Sequence, residues 1–289
     1  MYVGFELNDY ERLREVDPLE IKYFKAQEKG AFENLSDYMV GQFKGQDVID
    51  AEKLADHLFP AKKAHVFLSH SHRDADQAIE LAIALKSRGL DVFVDSCVWG
   101  YFDSLLDALN HVYAEPTENP AGGVTYNYRK ATELTAGVHM MLMGALNAMI
   151  DRSELFVFLN TDNSLPITNI AGVERTLSPW IYSELQFSAF ARSRTPPRRC
   201  MGLESHLKEE HRSRVIASTS AVLSFKAFNE HLPKVNGAHL SAWFNDMDEQ
   251  KDKALDSLYL SSNIEMEFTA LRKKIEELEL MGVQRSELQ

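Results

Sequence analysis

The sequence predicts an α/β protein built on a doubly wound, flavodoxin-like parallel sheet of about five strands, flanked by helices. Short apolar runs rich in β-branched and aromatic residues are typical of buried parallel strands. These runs lie at 65–69, 91–95, 155–159 and 221–225. Helical patterns separate them; for example, Ala78, Ala82 and Leu85 repeat at helical spacing ahead of Gly89, a residue suited to a helix end. Because strands and helices alternate, we expect parallel strand pairing.

Two stretches outside this pattern are predicted to be helical extensions. Residues 1–60 are polar and charge-rich, with scattered apolar positions at helical spacing, which indicates a helical N-terminal extension. Residues 261–289 form an amphipathic helix with a narrow apolar seam, expected either to pair with another helix or to pack on its own domain. The α/β domain then occupies 61–260. Prolines and glycines predict an exposed connection at 114–134, within an insertion at about 96–135.

Composition narrows the classes of partner. The formal net charge of -12 argues against nucleic acid, because phosphate contacts need clustered Lys and Arg. The chain has two cysteines, Cys97 and Cys200, which favours a reducing compartment. No basic, apolar leader opens the sequence, and no apolar run reaches the roughly 18 residues of a spanning helix. We therefore expect a cytoplasmic protein with no membrane partner.

Two segments carry more specific patterns. The first is His65-Val-Phe-Leu-Ser-His-Ser-His-Arg-Asp, which continues through a helix into Gly89-Leu-Asp-Val-Phe-Val-Asp95. The second, Ser178-Pro-Trp-Ile-Tyr-Ser-Glu184-Leu, opens a helix after the apolar run at 155–159. In this order the segments resemble the TIR family, the Toll/interleukin-receptor-type domains, over roughly half of the chain. The two predicted extensions and the insertion have no counterpart in the family pattern.

The resemblance implies chemistry on NAD. Some TIR domains cleave the N-glycosidic bond of NAD and release nicotinamide, and the glutamate of their Trp-x-x-x-Glu segment is essential. Here that residue is Glu184. The chemistry suits a carboxylate independently, because bond cleavage builds positive charge on the ribose, which a neighbouring carboxylate stabilises. Nicotinamide is a good leaving group, so one glutamate suffices without a paired general acid.

Further residues are predicted to bind the substrate. Trp180 precedes Glu184 by one helical turn, which places both on one face and makes Trp180 a candidate pocket wall. Doubly wound folds bind nucleotides at the carboxyl ends of their strands. The candidates there are Ser69, His70, Ser71, Arg73 and Asp95. A metal site at His65, His70 and His72 is the weaker alternative, because no cysteine and no close carboxylate–histidine second shell accompany them. NAD is thus expected as substrate, with no metal and no cofactor.

Three functions follow from these expectations. The leading one is an NAD+ glycohydrolase or cyclase that yields ADP-ribose, or a cyclic or conjugated ADP-ribose signal read by a downstream effector, in antiviral defence. Self-association is expected to complete its pocket. The alternative is a non-catalytic TIR adaptor or scaffold acting only by self-association, in which Glu184 is dispensable. A third is a nucleoside-processing transferase that uses a glutamate beside a ribose, with NAD inert.

Overall fold

A five-stranded parallel sheet lies at the centre of the computed structural model, which describes residues 1–27, 35–58, 64–97, 99–119, 122–170, 173–196, 223–246 and 252–286. The strands, in chain order, are β1 (Val3–Asn8), β2 (Met39–Phe43), β3 (Gln46–Ile49), β4 (Val66–Ser69), β5 (Val92–Val94), β6 (Thr117–Glu118), β7 (Val124–Thr125), β8 (Leu155–Leu159), β9 (Ile167–Ile170), β10 (Val173–Thr176), β11 (Phe225–Lys226) and β12 (Lys234–Asn236). The helices are α1 (Pro18–Gln27), α2 (Ala51–Leu58), α3 (Ala75–Ser87), α4 (Trp99–Tyr113), α5 (Tyr128–Arg152), α6 (Pro179–Phe190), α7 (Gly237–Asp246), α8 (Asp252–Ser261) and α9 (Ile264–Ser286).

The order of the central sheet is β12-β1-β8-β4-β5, and every neighbouring pair is parallel. This confirms the predicted α/β class and the strands at 65–69, 91–95 and 155–159. The strand predicted at 221–225 is different. Residues 221–222 lie outside the described residues, and β11 joins β10 and β9 in a separate antiparallel sheet. The edge position belongs to β12, a segment too short to show a strand pattern.

The largest correction concerns the predicted N-terminal extension. Residues 1–60 do contain helices, α1 and α2, but they begin with β1, which lies inside the sheet between β8 and β12. Its residues are buried on both faces, so the strand lacks the alternation of a half-exposed strand. Gly4 permits the close packing, because a Cβ there would lie 3.0 Å from Leu232 Cδ2 and 3.2 Å from the Phe156 carbonyl oxygen.

Glu6 is the charged residue of this buried strand. Its side chain is fully enclosed, yet both carboxylate oxygens have donors. Asn160 Nδ2 donates to one at 2.7 Å, and Asn229 Nδ2 donates to the other at 2.9 Å. Lys234 Nζ, on β12, lies 3.7 Å away. A buried carboxylate is tolerated when donors satisfy it in this way, so Glu6 joins β1 to its neighbours rather than weakening the strand.

Helices cover both faces of the sheet. On one face, Leu81 of α3, Leu240 of α7 and Leu255 of α8 pack over Phe5 and Val157. The opposite face carries stacked phenylalanines, with Phe67 in ring contact with Phe93 at 5.3 Å and with Phe156 at 5.8 Å. Helices α5 and α6 contact each other on that side of the molecule, and α4 packs on α5. No helix in the described ranges has both the length and the apolar character needed to cross a membrane.

The predicted insertion at about 96–135 is mostly helical. It contains α4, the β6–β7 hairpin and the start of α5. Phe102, Leu105 and Leu109 of α4 are buried, so this helix belongs to the core. The hairpin between the helices is exposed, as the prolines and glycines indicated. The stretch predicted to be an exposed connection, 114–134, contains this hairpin and the start of α5, and most of its described residues are exposed.

The C-terminal amphipathic helix is present as α9. Ile264 and Phe268, the first two residues of its apolar seam, are buried at 0% and 2% exposure, and α9 contacts β1 of the same chain. This favours the second of the two predicted arrangements, in which the helix packs on its own domain. The start of the seam is thus already covered within one molecule.

The position of β1 predicts a large effect of truncating Leu7, which is fully buried opposite Leu159 and Val235. We expect Leu7→Ala to lower the free energy of unfolding by about 2–5 kcal/mol, because the cavity cannot close within a packed sheet. Urea denaturation followed by circular dichroism measures this. Leu19→Ala is the matched control, since Leu19 is 59% exposed on α1. Equal, small effects of both substitutions would mean that β1 is a dispensable extension.

Candidate functional site

Three distant segments meet at the carboxyl ends of β4 and β5. Ser69 is the last residue of β4, Asp95 follows β5 directly, and Glu184 lies on α6. Helix α6 starts where the sequence provides a cap, because Ser178 Oγ accepts a hydrogen bond from the Ile181 backbone N–H at 3.3 Å and Pro179 occupies the first turn. The cap fixes where the helix starts, and Glu184 then falls on the face turned toward β4.

Ser69 and Glu184 are joined directly. Ser69 Oγ donates to Glu184 Oε2 at 2.5 Å, and the two residues are 0% and 1% exposed. The other oxygen, Glu184 Oε1, is buried and has no hydrogen-bond partner among the described residues. Within the described ranges the Glu184 carboxyl group therefore has a single donor, in contrast to Glu6.

This environment disfavours a charged carboxylate. Burial raises the pKa of Glu184, and the nearby negative charge of Asp95 raises it further, whereas the hydrogen bond from Ser69 lowers it. The first two effects outweigh the third, so the pKa of Glu184 lies well above its usual range. A buried carboxyl group shifted by a specific charged neighbour is a frequent feature of functional sites.

Asp95 is itself paired with the residue after Ser69. His70 Nδ1 lies 2.9 Å from Asp95 Oδ1, and the two side chains are 0% and 5% exposed. Burial lowers the pKa of His70, but the charge of Asp95, its contact with the ring, the Leu68 carbonyl and the charge of Asp74 together raise it. The pKa of His70 is thus raised overall, which favours an imidazolium beside Asp95.

Trp180 lies one turn before Glu184 and is half-buried. Its ring stacks on His139 of α5 with centroids 5.4 Å apart, and Phe102 of α4 meets it edge-on at 6.5 Å. The aromatic cluster therefore consists of Trp180, His139 and Phe102, from three helices. The sequence had identified only Trp180. Residues 139–150 showed a helical pattern, but nothing in that pattern separates a residue facing Trp180 from one in the core.

Ser71 and Arg73, two other predicted binding residues, are placed differently. Ser71 Oγ accepts a hydrogen bond from the Arg73 backbone N–H at 3.4 Å and caps the short helical turn His72–Asp74. The Arg73 side chain is exposed. In the part of the chain that the structure describes, no hydrogen bond links either residue to Glu184. The structure thus brings Ser69, His70, Asp95 and Glu184 together, with Trp180 adjacent.

The histidines considered as metal ligands do not converge. His65 lies at the opposite, amino end of β4, where its Nδ1 accepts a hydrogen bond from the Asp91 backbone N–H at 2.9 Å. His72 is exposed, and His70 is paired with Asp95. Across the described ranges, no three His, Cys, Asp or Glu side chains are arranged to hold a metal ion.

The site is closed in this conformation. Glu184 is 1% exposed and its unpaired Oε1 is shielded from solvent. A ligand that reaches this oxygen has to displace side chains at the carboxyl edge. Such closure also keeps water away from the carboxyl group, which strengthens electrostatic interactions there.

Comparison with models of protein families found no match to this chain, and comparisons with curated proteins and with solved structures found none either. The resemblance to TIR domains therefore rests on the two sequence segments alone. It remains a prediction.

The raised pKa of Glu184 predicts a pH-dependent cost in stability. The folded state holds the proton more tightly than the unfolded chain, so wild-type stability falls as pH rises above 4.5, the ordinary value for glutamate, until the raised pKa is passed. The slope is at most about 1.4 kcal/mol per pH unit. The Glu184→Gln variant has no ionisable proton at this position. We therefore expect its free energy of unfolding to rise relative to that of wild type as the pH increases from 5 to 8.

Denaturant unfolding at pH 5, 6, 7 and 8 measures this difference. Glu118→Gln is the control, because Glu118 is exposed on β6, and its difference from wild type is expected to stay constant with pH. A constant difference for Glu184→Gln as well would show that the carboxyl group ionises as freely in the folded protein as in the unfolded chain.

Proposed function

We propose that the protein is a TIR-type NAD+ nucleosidase and that Glu184 is its catalytic residue. The observation that carries this proposal is the buried Glu184 carboxyl group at the carboxyl ends of β4 and β5, with one oxygen bound by Ser69 and the other unpaired. Parallel α/β sheets bind ligands at this edge. The two segments that resemble TIR domains supply Ser69 and Glu184, and the fold brings them together.

The proposed reaction uses the charge of the substrate. The bond between the ribose carbon and the pyridinium nitrogen breaks, its electron pair moves to nitrogen, and neutral nicotinamide leaves. Positive charge then develops on the ribose, where ionised Glu184 stabilises it. The cationic pyridinium of bound NAD favours loss of the Glu184 proton, which burial and Asp95 retain in the free protein. Addition of water gives ADP-ribose and releases a proton; attack by the adenine ring of the same molecule gives a cyclic product.

The aromatic cluster is suited to binding a flat leaving group by stacking. Trp180 is half-buried and packs against His139 and Phe102, and this packing fixes the position of its side chain. A nicotinamide ring stacked on such a surface would lie within one helical turn of Glu184. This stacking orients the bond to be broken without adding a further charged group.

The biological setting is also part of the proposal. We infer a cytoplasmic enzyme that acts in antiviral defence and makes ADP-ribose, or a cyclic or conjugated ADP-ribose signal for a downstream effector. Self-association is proposed to complete the pocket. The closed state of Glu184 supports such a step, because substrate cannot reach Oε1 in the single closed molecule.

A non-catalytic adaptor that acts by self-association is the second candidate. Its motivation is assembly through the apolar seam of the C-terminal helix or through the N-terminal extension. Burial of Ile264 and Phe268 within the same chain weakens the case for the seam, since these side chains are not available for a partner. In this alternative Glu184 has no chemical role, so the Glu184→Gln substitution distinguishes the adaptor from the enzyme.

The decisive experiment compares wild type with Glu184→Gln. We expect purified wild-type protein to release nicotinamide from NAD at high protein concentration, and Glu184→Gln to be slower by about 1000-fold or more, because the amide cannot supply the negative charge. Mass-resolved chromatography follows nicotinamide and every ADP-ribosyl product. Glu118→Gln is the control and is expected to match wild type.

If wild type and Glu184→Gln are equally inert toward NAD, also after concentration-driven assembly, the enzyme proposal fails. The adaptor then becomes the better account. Turnover that persists in Glu184→Gln would leave NAD as substrate and remove Glu184 from the chemistry.

Removal of the hydrogen bond between Ser69 and Glu184 is expected to shift the pH dependence of activity. Its hydrogen bond lowers the pKa of Glu184, so Ser69→Ala raises that pKa further. Because ionised Glu184 is the active form, kcat/KM rises with pH, and we expect Ser69→Ala to move this rise to higher pH. Initial rates between pH 5 and pH 9 test it. Ser87→Ala, at the exposed end of α3, is the control. A profile that stays in place, or moves to lower pH, would contradict the role of Ser69.

A further inference from the structure

The β2–β3 hairpin turns apolar side chains away from its own molecule. Successive residues of a strand point to opposite faces. Asp47 of β3 points toward the protein, because its Oδ2 accepts a hydrogen bond from the Tyr113 hydroxyl of α4 at 3.3 Å. Val48 and, through the strand register, Phe43 therefore lie on the other face, where they are 37% and 63% exposed. The outward face of the hairpin is apolar at these two positions, which is the reverse of the usual arrangement.

The tip of the hairpin adds a positive charge. Lys44 and Gly45 form its two-residue turn, and their φ angles of 52° and 78° are those that a tight hairpin turn requires. Lys44 Nζ lies over the Phe43 ring, 5.2 Å from its centroid. The tip thus presents an exposed aromatic ring with an ammonium group beside it. Aromatic side chains are enriched in protein interfaces.

A groove between α2 and α5 has the complementary properties. Its volume is about 290 Å³, and its lining includes Glu52, Asp56, Met140, Gly144, Ala148 and Arg152. Met140 is 65% exposed, and a methionine surface adapts readily to a partner. A Cβ on Gly144 would meet no atom within 4 Å, so the floor of the groove is open to an incoming side chain.

The charges of the two surfaces also match. Glu52 and Asp56 lie one helical turn apart on α2 and are both exposed. They outnumber the single base of the lining, Arg152, so the groove is negative where the hairpin tip is positive. Within the described part of the chain, neither acid forms an ion pair, and Lys44 forms none either.

The hairpin keeps its tip away from the groove of the same molecule. Helix α2 packs at the base of the hairpin, where His57 meets Tyr38 edge-on with ring centroids 5.6 Å apart. Strand β2 leads away from this base for five residues, a reach of about 15 Å at roughly 3.3 Å per residue. The tip and the groove therefore come together between two molecules rather than within one.

We propose that Phe43 and Lys44 of one copy dock in the α2–α5 groove of a second copy. The Phe43 ring fills the apolar floor, and the Lys44 ammonium pairs with the two acids of α2. Each copy carries both surfaces, so a twofold axis forms the contact twice. This inference goes beyond the proposed function, because it names the surfaces that join the copies and holds for an enzyme and for an adaptor. Both surfaces lie outside the TIR-like segments.

Sedimentation equilibrium of the purified protein gives the dissociation constant of the dimer. Phe43→Ala removes the docking ring, and Gly144→Leu fills the groove without loss of helix propensity. Tyr23→Ala is the control for the first, since Tyr23 is an exposed aromatic residue of α1. Gly137→Leu is the control for the second, because Gly137 is also on α5, lies outside the groove lining and likewise has open space around its Cβ position. Urea denaturation checks that each variant is folded.

We expect Phe43→Ala and Gly144→Leu each to raise the dissociation constant by about 10- to 100-fold, as loss of an interface anchor commonly does. Tyr23→Ala and Gly137→Leu are expected to match wild type. If Phe43→Ala does not fold, Gly144→Leu carries the test. Wild-type protein that stays monomeric, or folded Phe43→Ala and Gly144→Leu variants that assemble like wild type, would overturn the inference.

Charge reversal tests whether the two surfaces meet each other. Lys44→Glu alone, and Glu52→Lys with Asp56→Lys, are each expected to weaken the dimer. The three changes in one chain restore attraction with the signs exchanged, so the dissociation constant should return toward that of wild type. Lys22→Glu, at an exposed position of α1, is the control. Failure of the triple variant to recover would overturn the pairing of tip and groove.

NAD turnover is measured separately on the same samples. Weakened assembly in Phe43→Ala and Gly144→Leu supports the inference even if wild type never cleaves NAD, in which case the proposed enzyme fails alone. A wild-type monomer that cleaves NAD through Glu184 would overturn the inference and leave the enzyme in place.

Discussion

The pairing of β1 with β8 and β12 is the constraint on which the rest of the structure depends. It places the first residues of the chain between segments about 150 and 230 residues later, so the complete sheet depends on contacts between distant parts of the chain. The same pairing gives α9 a surface to pack on, which buries Ile264 and Phe268. Two residues of β1 permit this pairing. Gly4 allows close approach to β8, and the Glu6 carboxylate accepts hydrogen bonds from Asn160 and Asn229.

Glu6 and Glu184 show how environment separates a structural carboxylate from a candidate catalytic one. In the sheet register, Glu6 and Ser69 both lie beside Phe158, so the Glu6 side chain and the donor to Glu184 occupy the same face of the sheet. Glu6 receives hydrogen bonds from two asparagines, with Lys234 nearby. Glu184 receives one hydrogen bond and faces another acid, Asp95. Donors offset the burial of the first, whereas the second has an acceptor with no partner in the described residues and a raised pKa, a combination that is frequent at functional sites.

The helices of the insertion contribute to the site as well as to the core. α4 and α5 hold Phe102 and His139 against Trp180, so the residue one turn from Glu184 is supported by a part of the chain outside the TIR-like segments. The proposed ribose and nicotinamide contacts thus come from two sources. The strand ends supply hydrogen-bonding groups, and the helices supply a flat apolar surface.

The sequence by itself determined the α/β class, three of the five central strands and the residue types that meet at the carboxyl edge, because buried parallel strands leave continuous apolar runs and helix α6 has its own cap. It did not reveal β1, whose run is interrupted by Gly4 and Glu6, or β12, which is too short to show a period. Only the tertiary structure decided that Asp95 contacts His70 and that His139 stacks on Trp180. It also placed Ser71 and Arg73 in a short helical turn, apart from Glu184. These outcomes depend on contacts between segments far apart in the chain, and periodicity within a segment carries no information about them.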